Sequence, residues 1–224
     1  MKIGIIECGP VPEALRNTYI SYPAMFSAQL KPLLPSATFE TVSVVNGAAL
    51  PGPEARDAWL LTGSRHGVYD DLPWIAPLKD FIRAAAGAKR PMVGVCFGHQ
   101  IIAEAMGGRV QKAEIGWRVG LETYETRLDG AAHSVAMPAF HQDQVIVQPP
   151  GSEIVAQSDT CPYAALRYSD APILSVQFHP EFSRAYLSDL IDCLSKHDAE
   201  PGLPPQAETD DSGMRWIAEF LAGR

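Results

Sequence analysis

Residues 91–100 read PMVGVCFGHQ, and the cysteine inside that run decides how the chain is read. Met92–Val95 is a short apolar run behind a proline, as expected of a buried strand. Gly98–Met106 carries Ile101, Ile102, Ala105 and Met106, which predicts a helix that Gly107-Gly108 stops. Cys96 falls between the two, with Gly94 and Gly98 on either side. G-V-C-F-G fits the G-x-nucleophile-x-G pattern of a strand–turn–helix elbow. In such an elbow the nucleophile occupies a tight, strained turn, and glycines flank it because a Cβ would collide with neighbouring backbone. The thiol then lies at the positive end of the helix, which favours the thiolate. The Phe97 N–H points to where an oxyanion forms. The same five residues also suit an inert core cysteine with glycines for helix packing, so the reading needs a partner base.

Working outward, Lys2–Cys8 reads as a strand broken by Gly9-Pro10, and residues 12–34 carry helical signals. Thr38–Val45 alternates as a second strand. Ala58–Leu61 is an apolar run that stops at Thr62-Gly63-Ser64, and Pro73–Ala88 reads as a helix. Strands alternating with helices imply an α/β protein with a central, mostly parallel sheet flanked by helices on both faces. From Arg109 the character changes. Trp117–Thr126, Val145–Val147, Glu153–Gln157, Tyr163–Tyr168 and Ile173–Phe178 read as strands without strong helices between them, a small antiparallel section joined to the sheet. Phe182–Lys196 reads as a helix, HDAEPGLPPQAETDDSG at 197–213 as a surface linker, and Met214–Leu221 as a final helix. The expected division is a main domain at 1–196 and a C-terminal linker and helix at 197–224.

The chain has 224 residues, 46% of them hydrophobic, enough to bury a substantial core. A net charge of −8 repels phosphate backbones and speaks against nucleic acid and against a basic membrane-surface helix. No apolar run approaches the roughly 20 residues a bilayer span needs. MKIGIIECGP lacks a small-residue cleavage site and reads as a first strand rather than a signal peptide. The cysteines, at 8, 96, 161 and 193, show no metal-type spacing, so the expectation is a reducing cytoplasm with free thiols. Cys96-x-x-His99 lacks the companion ligands a zinc site needs. Asp70-Asp71 and Asp210-Asp211-Ser212 read as caps or solvated charges, and Arg65-His66 as a surface loop.

Of the histidines at 66, 99, 133, 141, 179 and 197, His179 stands out. It follows the apolar run ILSVQF, and a strand end is a rigid mount for a base. In extended backbone, side chains two apart share a side, so Glu181 can orient the imidazole and stabilise its charged form. Cys96, His179 and Glu181 then make nucleophile, base and orienter. Read separately, His179 is a polar strand terminus and Glu181 a first-turn carboxylate.

Together, GVCFGHQ and QFHPEF resemble the class I glutamine amidotransferases over roughly residues 1–195, the Thr62-Gly63-Ser64 turn included. The resemblance implies a flavodoxin-like fold and a Cys–His–Glu triad of Cys96, His179 and Glu181 that removes ammonia from glutamine without a cofactor. It implies Gly63 as a second oxyanion donor beside Phe97, and Gln100 as a contact to the substrate glutamine. The match looks closest to stand-alone domains related to the glutaminase part of GMP synthase. FHQDQV at 140–145 is similar to that family's Ser-His-Gly-Asp segment, whose backbone holds the substrate's amino-acid end, with Phe140 and Gln142 replacing serine and glycine. Gly116-Trp117 resembles another segment lining the pocket, so Phe140, His141 and Trp117 join the substrate-binding set; core packing is the plainer account of Trp117 and Phe140.

The implied substrate is a small molecule, glutamine or another γ-glutamyl compound. The chain carries no Gly-rich phosphate loop, so either a separate synthetase chain accepts the ammonia or the enzyme simply hydrolyses. Stand-alone members also allow a γ-glutamyl peptidase acting on glutathione-like compounds. A DJ-1/PfpI-like protein commonly has histidine directly after the elbow cysteine, where this chain has Phe97. A non-catalytic subunit on the same fold fits poorly with an intact triad.

Overall fold

The structure, a computed structural model, describes residues 1–195 and 212–223. In chain order its strands are β1 (Lys2–Glu7), β2 (Thr38–Ser43), β3 (Ala58–Leu61), β4 (Met92–Val95), β5 (Arg109–Lys112), β6 (Arg118–Thr126), β7 (His133–His141), β8 (Asp143–Val147), β9 (Ser152–Gln157), β10 (Ala165–Tyr168) and β11 (Ile173–Val176). The helices are α1 (Arg16–Tyr19), α2 (Tyr22–Leu33), α3 (Ile75–Gly87), α4 (Phe97–Ala105), α5 (Arg184–Ser195) and α6 (Ser212–Leu221). None of the described helices is long and apolar enough to cross a membrane.

A nine-stranded sheet in the order β2-β1-β3-β4-β11-β10-β9-β6-β7 forms the frame, and β5 pairs with β8 in a separate ribbon. The pairs β2–β1, β1–β3, β3–β4 and β4–β11 are parallel. From β11 onward the sheet continues antiparallel through β10, β9, β6 and β7. The buried positions of β1, β3, β4 and β11 are apolar or glycine except Glu7 and Ser175, because helices cover both faces. Ile3, Ile5, Leu60, Val93 and Val95 pack with Phe26 and Leu30 of α2 on one face. Ile6, Trp59, Leu61 and Met92 pack with Leu78, Phe81 and Ile82 of α3 and Ile101 and Ile102 of α4 on the other.

Two strands were not anticipated. HSVAMPAFH makes β7 although Pro138 lies inside it, and a proline argues against a strand because it cannot donate to a ladder. β7 tolerates it as the last strand of the sheet, where the proline nitrogen has no neighbouring strand to serve. The Pro138 carbonyl is used: it accepts the His179 N–H at 2.8 Å. β5 is a short charged run with one buried residue, Val110, so it lacks an apolar signal. The predicted run to Phe178 is also too long. β11 stops at Val176, and the chain bends before His179.

Of the predicted linker at 197–213, residues 197–211 lie outside the described residues, and Asp210 and Asp211 with them. The final helix α6 packs into the central core. Met214, Trp216, Ile217, Ala218 and Leu221 belong to the same apolar cluster as Val93, Val95 and Phe178. Trp216→Ala is expected to cost about 3–5 kcal/mol in urea unfolding. A loss under about 1 kcal/mol would show that α6 is dispensable to the core.

Candidate active site

The parallel neighbours β3, β4 and β11 end at one edge of the sheet, so the chain leaves each of them close to the others. Gly63 follows β3, Cys96 follows β4 and His179 follows β11. Crevices beyond the carboxyl ends of such strands are where α/β proteins bind ligands. This topology unites motifs that the sequence keeps far apart.

Cys96 links β4 to α4 with φ +52° and ψ −105°, a conformation that L-residues rarely adopt. Neither flanking glycine takes a positive φ; both are required for space. A Cβ on Gly94 would lie 2.5 Å from the Gly98 carbonyl oxygen, and one on Gly98 would lie 2.4 Å from the Leu61 oxygen. The elbow is pinned by the Cys96 N–H donating to Val176 at 2.8 Å and the Gln100 N–H donating to Cys96 at 3.0 Å. Phe97 opens α4, so its N–H lies outside the helical ladder. The thiol is nearly buried, and its Sγ lies 4.0 Å from the Phe140 carbonyl oxygen.

His179 Nδ1 meets Glu181 Oε1 at 2.8 Å, with both residues buried. The geometry differs from the extended pairing expected of neighbours two apart. Residues 179–182 form a turn, closed by the Phe182 N–H donating to the His179 carbonyl at 3.2 Å. The turn also lays the Phe182 ring flat on the imidazole, with centroids 3.9 Å apart and planes 10° apart. Gln29 of α2 secures the turn by donating its Nε2 hydrogen to the Glu181 carbonyl at 2.7 Å. Burial drives the imidazole toward neutrality, but the Glu181 carboxylate, and after it Cys96, outweigh burial and push the His179 pKa up to about 10. Nδ1 is committed to the carboxylate, which leaves Nε2 for the sulfur.

Gly63 lies against both groups. A Cβ there would come 3.1 Å from His179 Cε1 and 3.8 Å from Cys96 Cβ. Gln100 is buried, and its Nε2 donates to the Asp143 carbonyl at 2.8 Å and to Gln177 Oε1 at 3.1 Å. Its amide therefore ties α4 to the start of β8. His141 is buried too, with Nδ1 3.2 Å from the Asp143 carbonyl. A carbonyl only accepts, so Nδ1 carries the proton, and burial lowers this histidine to about 4. Phe140 turns its ring to Trp117, with centroids 5.6 Å apart. Trp117 is 52% exposed, so core packing does not account for it.

His99 is an elbow-helix residue, fully buried, with Nδ1 2.8 Å from Ser175 Oγ; burial lowers it to about 3. Among the described residues no three His, Cys, Asp or Glu side chains gather as a metal ion would need. All four cysteines are free. Reading the sequence missed Phe182, Gln29 and Pro138. Phe182 was visible inside QFHPEF; the other two act across long sequence separations and leave no local pattern.

The family described as glutamine amidotransferase class-I matches residues 50–187. The chain belongs to this family. Among curated relatives, γ-glutamyl peptidase 4 of Arabidopsis thaliana is 30% identical over 199 residues, 82% of this chain and 76% of that protein. One subunit of the glutamine-hydrolyzing GMP synthase of Methanocaldococcus jannaschii is 39% identical over 113 residues, 49% of this chain. The matched region spans 60% of that GMP synthase subunit, and 59% of γ-glutamyl peptidase 3 of Arabidopsis thaliana. A solved glutamine amidotransferase from Thermotoga maritima superposes with a TM-score of 0.78 at 18% identity, covering 100% of this chain and 97% of the other. The likeness in fold thus takes in the described residues.

The raised imidazole has a consequence for stability. His179 titrates above its ordinary 6.5 in the folded chain, so its stabilisation is complete below that pH and drains away as pH climbs to about 10. The urea midpoint is expected to fall across that window, and to fall less in Glu181→Gln. NMR of the imidazole should place the His179 titration lower in Glu181→Gln than in the wild type. An unchanged titration would show that the carboxylate does not hold the charge.

Proposed function

We propose that the chain is a cysteine-nucleophile hydrolase that cleaves the γ-amide of glutamine or of another γ-glutamyl compound. The observation that carries this reading is the buried 2.8 Å His179–Glu181 pair beside a cysteine held in a strained elbow, in a chain of this family.

In the reaction, the Cys96 thiolate attacks the γ-carbonyl carbon. The oxygen gains negative charge and is met by the N–H groups of Phe97 and Gly63. Protonated His179 gives its proton to the leaving amine as the C–N bond breaks, leaving a γ-glutamyl thioester on Cys96. Neutral His179 then deprotonates a water, which attacks the thioester; the thiolate leaves and glutamate is released. Glu181 keeps Nδ1–H oriented and stabilises the imidazolium between the two halves. Gln100, Phe140, His141 and Trp117 border the γ-glutamyl group, Gln100 and His141 by fixing the 140–143 segment and Trp117 by facing the opening. No step calls for a metal or a redox cofactor.

The likeness to γ-glutamyl peptidase 4 over most of the chain favours release of a peptide amine. The likeness to a GMP synthase subunit favours a second reading, in which a separate synthetase chain takes up the ammonia. Cytoplasmic residence is in keeping with four unpaired thiols.

The test is turnover of glutamine and of γ-glutamylcysteinylglycine by the purified chain. Cys96→Ala is expected to lower either rate by about 10⁴-fold or more. A glutamine-analogue electrophile should label Cys96, as read by peptide mass spectrometry. Labelling at another residue, or full turnover by Cys96→Ala, would refute the proposal. Ammonia release that appears only when soluble extract is added would select the two-chain reading.

A further inference from the structure

Cys96 stands between two walls. The first is the loop that leaves β3, where Gly63 lies against Cys96 Cβ. The second is the turn from β7 into β8, whose Phe140 carbonyl lies 4.0 Å from the sulfur. The walls come from remote parts of the chain, and a side-chain contact joins them: Tyr69 Oη donates to Asp143 Oδ2 at 2.7 Å. We propose that this phenol–carboxylate bond is a strap that sets the width of the slot above Cys96, which makes Tyr69 and Asp143 positioning residues for the γ-glutamyl chemistry assigned above. The inference rests on that assignment for its substrate, but not for its geometry.

Both ends of the strap are anchored. On the Gly63 side the loop is braced internally. The His66 N–H donates to Ser64 Oγ at 3.2 Å, and the Gly67 N–H donates to Asp70 Oδ2 at 3.0 Å. The Tyr69 ring lies over Gly67, where a Cβ would come within 2.8 Å of it. Tyr69 and Gly63 thereby belong to one short, internally bonded loop. On the other side the Asp143 carbonyl is held by Gln100 Nε2 and by His141 Nδ1. Gln100 belongs to α4, the helix that begins at the elbow. The strap thus runs from the oxyanion loop to the helix behind the nucleophile.

The acceptor is a carboxylate, which makes this bond stronger than a neutral one. Partial loss of solvent around the ring, and then the bond to Asp143, raise the Tyr69 phenol to about 12, so it remains a donor through the working pH range. The tyrosine is 53% exposed, so the fold gains little from it. Its effect falls on the slot, where a shift of about 1 Å is enough to cost up to about 100-fold in rate.

The experiment is a double-mutant cycle on the full chain, with turnover of γ-glutamylcysteinylglycine as one readout and the rate of Cys96 alkylation by iodoacetamide as the other. Tyr69→Phe and Asp143→Ala are each expected to lower kcat/KM by about tenfold, mainly through kcat. The double variant should be no worse than either single one. Asp143→Asn, whose amide oxygen still accepts the phenol, should recover most of the rate. Alkylation of Cys96 should speed up in Tyr69→Phe, while its thermal midpoint stays near the wild-type value. Tyr69→Phe within twofold of wild type, or a double variant whose losses multiply, would overturn the strap. If the wild type turns over no γ-glutamyl amide, the functional reading falls. Alkylation then decides the strap separately, and equal rates in wild type and Tyr69→Phe would overturn it.

Discussion

The backbone at Cys96 is the constraint on which the site depends. A non-glycine residue at φ +52° and ψ −105° carries strain of about 1–3 kcal/mol, which persists only where the surroundings leave no alternative. Here the surroundings are close-packed backbone. α4 lies so near β3 and β4 that Gly94 and Gly98 have no room for side chains. The Cys96 amide is bound to β11, and its carbonyl to the first turn of α4. The helix cannot rise to relax the turn without losing the apolar contacts of Ile101 and Ile102 with the sheet. Packing on one face of the sheet thereby holds a thiol at its edge.

The imidazole is governed by an opposing pair of effects. Burial disfavours its charge, and a carboxylate at 2.8 Å restores it. The carboxylate is itself buried, so its position matters more than it would in water. That position is set by a turn held from two directions, by Gln29 of α2 and by the Pro138 carbonyl of β7. The Phe182 face excludes water from one side of the ring. A helix on one face of the sheet and the strand at its rim therefore converge on one histidine.

Much of this was legible in the sequence. The elbow announces itself because glycine spacing around a cysteine is a local signal, and the apolar runs of β1, β3 and β4 are unbroken because those strands are covered on both faces. His179 and Glu181 were found by their spacing, yet the physical reason given for their meeting was wrong: a turn joins them, where extended backbone had been expected. β7 was hidden by Pro138, whose meaning depends on being at the rim of a sheet, a fact of topology. Gln29 and the Tyr69–Asp143 bond were hidden for the same cause, since their partners are distant in the chain. Trp117 looked like core and is half in solvent, because hydrophobicity alone does not tell a buried ring from an exposed one.

Pro138 has a further consequence, for the company the molecule keeps. A terminal strand normally offers its outer flank as a template to any extended chain, the route to runaway β-assembly. In β7 the ring of Pro138 withholds the hydrogen that a newcomer needs, and the oxygen beside it is already taken by His179. The bond that seats the imidazole therefore also denies a newcomer one pairing position on the β7 edge.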